Sequence, residues 1–216
     1  MKIYKLENDV DSIIFDIDST LYTNKEYAFE QIDCQIREFA KERNCSVEEA
    51  RKKVADFRID WAKEHNNQKI SLGNLLTFFG IPIEKSIEWR KSLLEPKIFL
   101  HKDEKLIEIL KILEKNYKLI CVTNNPILPA RKTLEALEIS SFFNNIIGLD
   151  TCYKSKPAKE PFLKACELLD TVPSRCVSVG DRYDMDISLP LLLGMSAILV
   201  DGVEDVYKLP NLMHNK

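Results

Sequence analysis

Residues 12–22, SIIFDIDSTLY, join a short apolar run to a pair of carboxylates. The apolar residues 13–15 predict a buried β-strand, because turn residues bound this short run. Asp16 and Asp18 follow at once, and side chains alternate along an extended chain, so both carboxylates would project to the same side. Neighbouring carboxylates repel each other. Keeping both is therefore energetically costly, unless they bind a cation or take part in proton transfer. The alternative is an ordinary polar turn after a strand, since Asp, Ser and Thr are common turn residues.

The composition excludes several classes of protein. The chain has 216 residues, 45% of them hydrophobic, which suffices for one sizeable domain or a domain with an insertion. The net charge of -3 and the lack of a long run of like charges argue against binding to a nucleic acid polymer. No apolar stretch has the length of a signal peptide or a membrane span, so we expect a cytoplasmic protein without membrane contact. The six cysteines are scattered without a C-x-x-C pair and predict reduced thiols rather than disulfides or a zinc site.

Residues 24–95 have the pattern of a helical insertion. One helix is expected from about Lys25 to Arg43, and the next begins after Ser46, where Glu49 completes a capping box. Two shorter helices are expected over residues 72–79 and 83–94. The first helix has the apolar face Ala28, Ile32, Ile36 and Phe39. The second has the apolar stripe Val47, Ala50, Val54, Phe57 and Trp61. Trp61 and His65 are candidate substrate contacts, although the stripe favours a core position for Trp61.

Strands and helices alternate after Pro96, which predicts an α/β fold with a doubly wound parallel sheet and helices on both faces. Residues 2–6 are expected to add an edge strand. Further strands are expected at residues 118–122, 145–149, 175–179 and 196–200. Helices are expected at residues 103–115, 130–137, 160–169 and 187–193. Because the first strand belongs to this sheet, residues 1–23 and 96–216 form the core and residues 24–95 are inserted into it.

Polar residues stand at four predicted strand ends, where open parallel sheets bind ligands. They are Asp16, Asp18 and Thr20; Thr123 and Asn124; Lys154 and Lys156; and Asp181, Asp184 and Asp186. Together they describe a site for a hard divalent cation beside a phosphate, since Mg²⁺ prefers carboxylate, water and phosphate oxygens. Asp16 and Asp181 can supply the carboxylates, and Thr123 and Lys156 can bind phosphate oxygens. Asp186 or Asp184 can support the carboxylates of Asp16 and Asp181 without binding the cation directly.

Each of these residues also has an ordinary structural explanation. Thr123 and Asn124 suit a turn or a helix cap, Lys156 suits a solvated surface, and Asp184 can face solvent or cap a helix. The functional interpretation gains weight because the same edge of the sheet gathers all of them.

The order of these segments resembles the four motifs of the haloacid dehalogenase superfamily. DIDST, a strand ending in Thr123, Lys156-Pro157 and GDRYDMD follow one another as those motifs do. The resemblance covers the whole core, and residues 24–95 lie where that superfamily inserts its mobile cap. It implies a Rossmann-like core with a helical cap, in a Mg²⁺-dependent hydrolase of phosphoric monoesters.

The resemblance also implies roles for single residues. Asp16 would be the nucleophile that forms an aspartyl-phosphate, and Asp18 would protonate the leaving oxygen and then activate water. Thr123 and Lys156 would hold the phosphoryl oxygens, with Thr20 and Asn124 as further substrate contacts. The metal site would consist of Asp16, the backbone carbonyl of Asp18, Asp181 and a supporting Asp186.

Asp18 selects among chemistries within that superfamily, because the dehalogenase branch lacks the second aspartate of the first motif. We therefore expect a phosphatase acting on a small phosphorylated metabolite, and the chain to be a monomer or a homodimer. The stretch FDIDSTLY and the size of the insertion resemble the nucleotidase-like and phosphoglycolate-phosphatase-like members, which implies a nucleoside monophosphate as substrate, closely followed by sugar phosphates and phosphoglycolate. The alternatives are a phosphomutase acting on a sugar phosphate through the same intermediate, and a non-catalytic phosphate-binding or partner-binding protein.

Overall fold

The structure is a computed structural model that describes residues 1–67 and 69–214. It divides into two compact units. The first combines Met1–Lys25 with the chain from Glu95 onward, and the second is Glu26–Leu94. Within the described residues, no helix has both the length and the apolar character needed to cross a bilayer.

A six-stranded sheet forms the centre of the first unit, in the order β1-β6-β5-β2-β3-β4. The strands are β1 (Lys2–Lys5), β2 (Ser12–Phe15), β3 (Lys118–Val122), β4 (Ile146–Ile147), β5 (Cys176–Gly180) and β6 (Ser196–Leu199). All neighbouring pairs are parallel except β1, an edge strand that runs antiparallel to β6. The predicted α/β fold with a doubly wound, mostly parallel sheet is confirmed.

Strand β2 occupies the middle of this sheet because its residues suit burial on both faces. Ile14 pairs with Ile120 of β3 on one side and with Ser178 of β5 on the other. Its side chain joins a cluster that contains Phe162, whereas the Phe15 ring meets the edge of Phe143, with 6.1 Å between centroids. Successive side chains of a strand point to opposite faces, so both faces of the sheet are covered.

Among the described residues, the first unit has the four predicted helices and three short ones that were not predicted, over residues 149–152, 203–206 and 209–214. They are α5 (Glu104–Leu113), α6 (Ile127–Ala136), α7 (Leu149–Cys152), α8 (Lys159–Leu169), α9 (Ser188–Leu192), α10 (Val203–Val206) and α11 (Leu209–His214). The strand expected over residues 145–149 is limited to β4, because a helix already begins at Leu149. Asp103 caps α5 as expected, since its carboxylate accepts a hydrogen bond from the Leu106 amide at 2.9 Å. The helix expected over residues 187–193 is preceded by one π-helical turn at Tyr183–Ile187, where the Ser188 amide donates to Tyr183 O, five residues earlier.

The described part of the second unit contains four helices around a core of its own. They are α1 (Lys25–Glu42), α2 (Val47–Glu64), α3 (Leu72–Phe78) and α4 (Ile83–Leu93). The predicted capping box at Ser46 and Glu49 is confirmed. The core is formed by apolar side chains of all four helices and the segments between them: Ile36, Phe39, Ala40, Ala50, Val54, Leu72, Leu75, Leu76, Ile81 and Trp89.

Two details of the predicted apolar faces are wrong. Ile32 is 40% exposed, because Asp33 takes the buried place in that turn and its carboxylate binds Arg37 and Arg51 at 2.6 and 2.9 Å. Trp61 is half-buried rather than a core residue. Its indole stacks on the imidazole of His65, with ring centroids 3.6 Å apart.

Candidate active site

Parallel strands that end at the same level bring their loops together at one edge of the sheet. The register of β2 continues past its end, where the Asp16 amide donates to Val179 O of β5 at 2.9 Å. On the other side of β2, the amide of Thr123 continues β3 by donating to Ile147 O at 2.9 Å. The loops after β2, β3 and β5 therefore begin side by side.

Lys156 joins two of these loops through its ammonium. Its Nζ lies 2.6 Å from Asp16 Oδ1 and 2.5 Å from Asp186 Oδ1. All three side chains are almost completely buried. A buried ammonium between two buried carboxylates is stable only with this close geometry, because each isolated charge is costly to remove from water.

Three carboxylates of this site can approach one ion together. One oxygen from each of Asp16, Asp181 and Asp186 lies within 4.8 Å of the others. The ammonium of Lys156 balances one of three negative charges, so the group retains an excess of negative charge when fully ionised. An excess of carboxylate oxygens around one point fits a hard divalent cation such as Mg²⁺.

The pKa values of these groups reflect the crowding of charge. Burial raises the pKa of Asp16 well above its usual 3.8, against the opposing effect of Lys156, and Asp186 and Asp18 add to the rise. Burial, followed by the charge of Asp186, raises the pKa of Asp181 to about 6. Burial alone would lower the pKa of Lys156, but Asp16 and Asp186 outweigh it and raise that pKa above its usual value. Burial is the larger cause of the rise in the pKa of both aspartates, and the neighbouring negative charge adds to it.

Asp18 lies two residues after Asp16 but its carboxylate has different neighbours. The Tyr22 hydroxyl donates to Asp18 Oδ1 at 2.7 Å. Asn125 Nδ2 and the Thr123 hydroxyl donate to Oδ2 at 2.9 and 3.2 Å. Its carboxylate is thus not among the three that can share one ion, which leaves the backbone carbonyl as the metal contact expected of Asp18.

Thr20 and Asn124 were predicted to contact substrate, and the structure gives their side chains other partners. Thr20 is completely buried, and its hydroxyl donates to Asp16 Oδ2 at 3.3 Å. The side-chain amide of Asn124 donates to Lys156 O at 3.2 Å and accepts from the Lys156 amide at 2.7 Å. Both side chains therefore support residues of the site, because burial and two-sided hydrogen bonding hold them in place.

The structure also places Lys154 and Asp184, which the sequence analysis named beside Lys156 and Asp186 without giving them a role of their own. Asp184 is 47% exposed at its side chain and pairs with Arg182 at 2.7 Å, whereas Asp186 is buried and accepts from the Arg182 amide at 3.1 Å. Lys154 is more than half exposed and pairs with Glu160. Asp186 thus belongs to the carboxylate group, and Asp184 and Lys154 lie outside it.

Gly180 makes the position of Asp186 possible. A Cβ atom on Gly180 would lie 2.4 Å from both Cβ and Cγ of Asp186, far closer than van der Waals contact. The residue at the end of β5 must therefore have no side chain.

Sequence analysis missed two residues of the site, Tyr22 and Asn125. Both are almost completely buried beside the Asp18 carboxylate. Signals for both were present, since Tyr22 follows Asp18 by one helical turn's spacing and Asn125 directly follows Asn124 in the triplet TNN. Neither signal distinguishes a site residue from an ordinary turn residue.

Comparison with known proteins identifies the family. Residues 10–189 match the haloacid dehalogenase-like hydrolases, and the chain belongs to that family. It is 33% identical over 95 residues to N-acylneuraminate-9-phosphatase of Rattus norvegicus. This alignment covers 44% of the chain and 38% of that protein. It is 38% identical over 81 residues to phosphoglycolate phosphatase of Aquifex aeolicus (strain VF5). This alignment covers 38% of the chain and 37% of that protein. The chain thus spans less than two fifths of the length of these two relatives.

Solved structures show the same fold over most of the chain. A HAD phosphatase from Thermococcus onnurineus aligns with a TM-score of 0.60 at 22% identity, covering 88% of this chain and 86% of that one. Beta-phosphoglucomutase from Clostridium difficile aligns with a TM-score of 0.54 at 16% identity, covering 96% and 100%. Because proteins with different reactions share this fold, the fold alone does not select the chemistry.

Proposed function

We propose that this chain is a Mg²⁺-dependent phosphatase that hydrolyses a small phosphomonoester through a phosphorylated Asp16. The observation that carries this proposal is the buried contact of Lys156 with both Asp16 and Asp186, next to Asp181. The separate hydrogen bonding of Asp18 adds a second carboxyl group with a different task. Two carboxyl groups in unlike environments are what a nucleophile and a proton-transfer group require.

In the first step, Asp16 attacks phosphorus, and the bond from phosphorus to the leaving oxygen breaks. Asp18 gives its proton to that oxygen, so the product leaves as an alcohol. In the second step, Asp18 takes a proton from the attacking water, and the bond from phosphorus to Asp16 breaks. The proton lost in the first step is thus restored in the second, and Asp16 is regenerated.

The phosphoryl oxygens need donors while this charge is redistributed. An ammonium has three N–H donors, and two of those of Lys156 contact Asp16 and Asp186. We assign the third, with the Thr123 hydroxyl, to the phosphoryl group. Asp16, Asp181, Asp186 and the Asp18 carbonyl would hold Mg²⁺, which when bound reduces the repulsion between these carboxylates and a phosphate dianion.

The experiment is a phosphate-release screen over phosphomonoesters, with Mg²⁺ and with a chelator. The panel includes nucleoside monophosphates, which sequence analysis favours, and sugar phosphates. The names of the relatives add phosphoglycolate and N-acylneuraminate 9-phosphate. We expect Mg²⁺-dependent turnover of at least one member, and failure on every phosphomonoester would remove the proposal.

Two variants test the assigned roles directly. Asp16→Asn should abolish turnover, and appreciable phosphatase activity in the purified variant would contradict its role as nucleophile. Asp18→Asn should lose turnover but leave Mg²⁺ binding largely intact, because its side chain lies outside the carboxylate group. A phosphomutase would instead accumulate an isomeric product and respond to a bisphosphorylated sugar, and a non-catalytic protein would bind phosphate without turnover.

A further inference from the structure

Under the proposed function, the Thr123 hydroxyl would have to donate to both Asp18 and the phosphoryl group. Thr123 has a single hydroxyl proton, which it donates to Asp18 Oδ2 at 3.2 Å. The backbone amide of Asn125 already donates to the oxygen of that hydroxyl at 3.1 Å. A hydroxyl donates one hydrogen bond, so Thr123 cannot serve the phosphoryl group and Asp18 at the same time.

Tyr22 and Asn125 also donate to this carboxyl group, and the proposed function assigns neither of their side chains to the phosphoryl group. The Tyr22 hydroxyl contacts Asp18 Oδ1 at 2.7 Å, and Asn125 Nδ2 contacts Oδ2 at 2.9 Å. Each oxygen therefore keeps a donor when the Thr123 hydroxyl turns to the phosphoryl group, which fixes both the direction of the carboxyl group and the rotation about its bond to Cβ. Both donors are buried, at 3% and 8% exposure, so the surrounding core holds them in place.

From this arrangement we infer that Tyr22 and Asn125 are positioning residues that hold the Asp18 carboxyl group for proton transfer. They also keep it apart from the carboxylates of Asp16, Asp181 and Asp186. This inference rests on the proposed function and deepens it, since it assigns two further residues to the protonation of the leaving oxygen. Without these donors the carboxyl group would rotate. A proton donor that is not aligned with the leaving oxygen contributes little to catalysis.

The test uses the basicity of the leaving group. An alkyl phosphate leaves as an alkoxide that needs a proton, whereas p-nitrophenyl phosphate leaves as a stable phenolate that does not. The parameter to compare is kcat/KM, because it reports only the steps up to the phosphorylation of Asp16, in which the leaving group departs. The second step, where Asp18 acts as a base, does not enter it.

We expect Tyr22→Phe and Asn125→Leu each to lower kcat/KM for an alkyl phosphate by about tenfold to a hundredfold, the range for hydrogen bonds to charged groups. On p-nitrophenyl phosphate both variants should stay within about twofold of the unchanged protein. The ratio of the two values within one preparation does not depend on the fraction of folded protein, so partial misfolding cannot produce the effect. Titration with Mn²⁺ should show unchanged cation affinity.

Tyr207→Phe is the matched control. It removes a tyrosine hydrogen bond to an aspartate in the same unit, that of Tyr207 to Asp103 at 2.6 Å, away from the site. It should leave the ratio unchanged. An equal loss on both substrates in Tyr22→Phe and Asn125→Leu would overturn the positioning role while leaving the phosphatase in place. Absence of Mg²⁺-dependent turnover of every phosphomonoester by the unchanged protein would overturn both proposals.

Discussion

Lys156 Nζ lies 2.6 Å from Asp16 Oδ1, although 140 residues separate the two in the sequence. The pair connects the loop after the central strand to the segment before α8, and the same ammonium reaches Asp186. One buried cation thus holds two loops of the site together.

Replacement of Lys156 should therefore damage both stability and activity. Lys156→Gln leaves buried carboxylates without their cation, a change that costs about 3–5 kcal/mol in typical proteins. We expect the free energy of unfolding in urea to fall accordingly and phosphate release to be lost. Lys154→Gln is the control, since Lys154 is exposed and pairs with Glu160 on the surface. Equal unfolding midpoints for the two variants would contradict the importance of the buried contact.

Asp186 and Asp184 give a matched pair within one loop. Asp186→Asn should weaken Mg²⁺ binding by about tenfold to a hundredfold, the usual effect of removing a group that supports metal ligands. Asp184→Asn should leave it unchanged, because that side chain faces solvent beside Arg182. Isothermal titration calorimetry with Mg²⁺ measures both affinities. Similar affinities for the two variants would show that Asp186 does not support the ion.

The pKa of Asp181 predicts how cation binding depends on pH. That pKa lies near 6 in the protein without metal, above the usual 3.8. Below about pH 6 the carboxyl group is protonated, so a cation must displace a proton, and the apparent Mg²⁺ affinity should fall as the pH drops through 6. Above that pH this group imposes no further change. Calorimetric titrations in buffers of different ionisation enthalpy, between pH 5 and 7, measure the released proton. Constant affinity and no proton release would contradict the shift.

Gly180 should tolerate no side chain. Gly180→Ala places a methyl group 2.4 Å from Asp186 Cβ, so the loop after β5 must move and carry Asp186 away from Lys156. We expect loss of phosphate release together with a lower unfolding midpoint. Gly194→Ala provides a contrast, because at φ +89° it is strained but meets no atom within 4 Å. It should lower stability and leave turnover per folded molecule unchanged, whereas an active Gly180→Ala would show that the loop adapts.

The sequence contained enough to predict the fold because its strands are short apolar runs that end in polar residues. The same argument predicted that Asp16, Lys156 and Asp181 would approach each other, since strand ends of a parallel sheet share an edge. It did not predict what each side chain binds. Thr20 and Asn124 look like substrate contacts in sequence, but the buried Thr20 hydroxyl donates to Asp16, and the Asn124 side chain hydrogen-bonds to the backbone of Lys156.

Side-chain direction explains the remaining differences. Asp16 and Asp18 have the spacing that places both on one side of a strand, yet β2 ends at Phe15 and the chain then turns. The turn begins at Ile17, whose carbonyl accepts from the Thr20 and Leu21 amides at 3.3 and 3.0 Å, so the strand alternation ends before Asp18 and the two carboxylates have separate neighbours. Ile32 and Trp61 depart from their predicted faces because charged and aromatic neighbours compete for the same space. Arg37 follows Asp33 and His65 follows Trp61 by one helical turn, and the apolar periodicity of a helix does not reveal such polar and aromatic pairs.

The central position of β2 has a consequence for the order in which the protein acquires its structure. Ser12 pairs with Lys118 on one side and with Cys176 on the other, so during synthesis the innermost strand emerges long before either neighbour exists. The helical unit Glu26–Leu94 has its whole core within one continuous segment and can fold while the rest is still being made. The sheet cannot be completed until its last strands have been synthesised, because non-local pairing requires the closure of long loops. A nascent chain that stops before β5 would therefore expose an apolar strand, with neither the neighbour nor the carboxylates that complete the site.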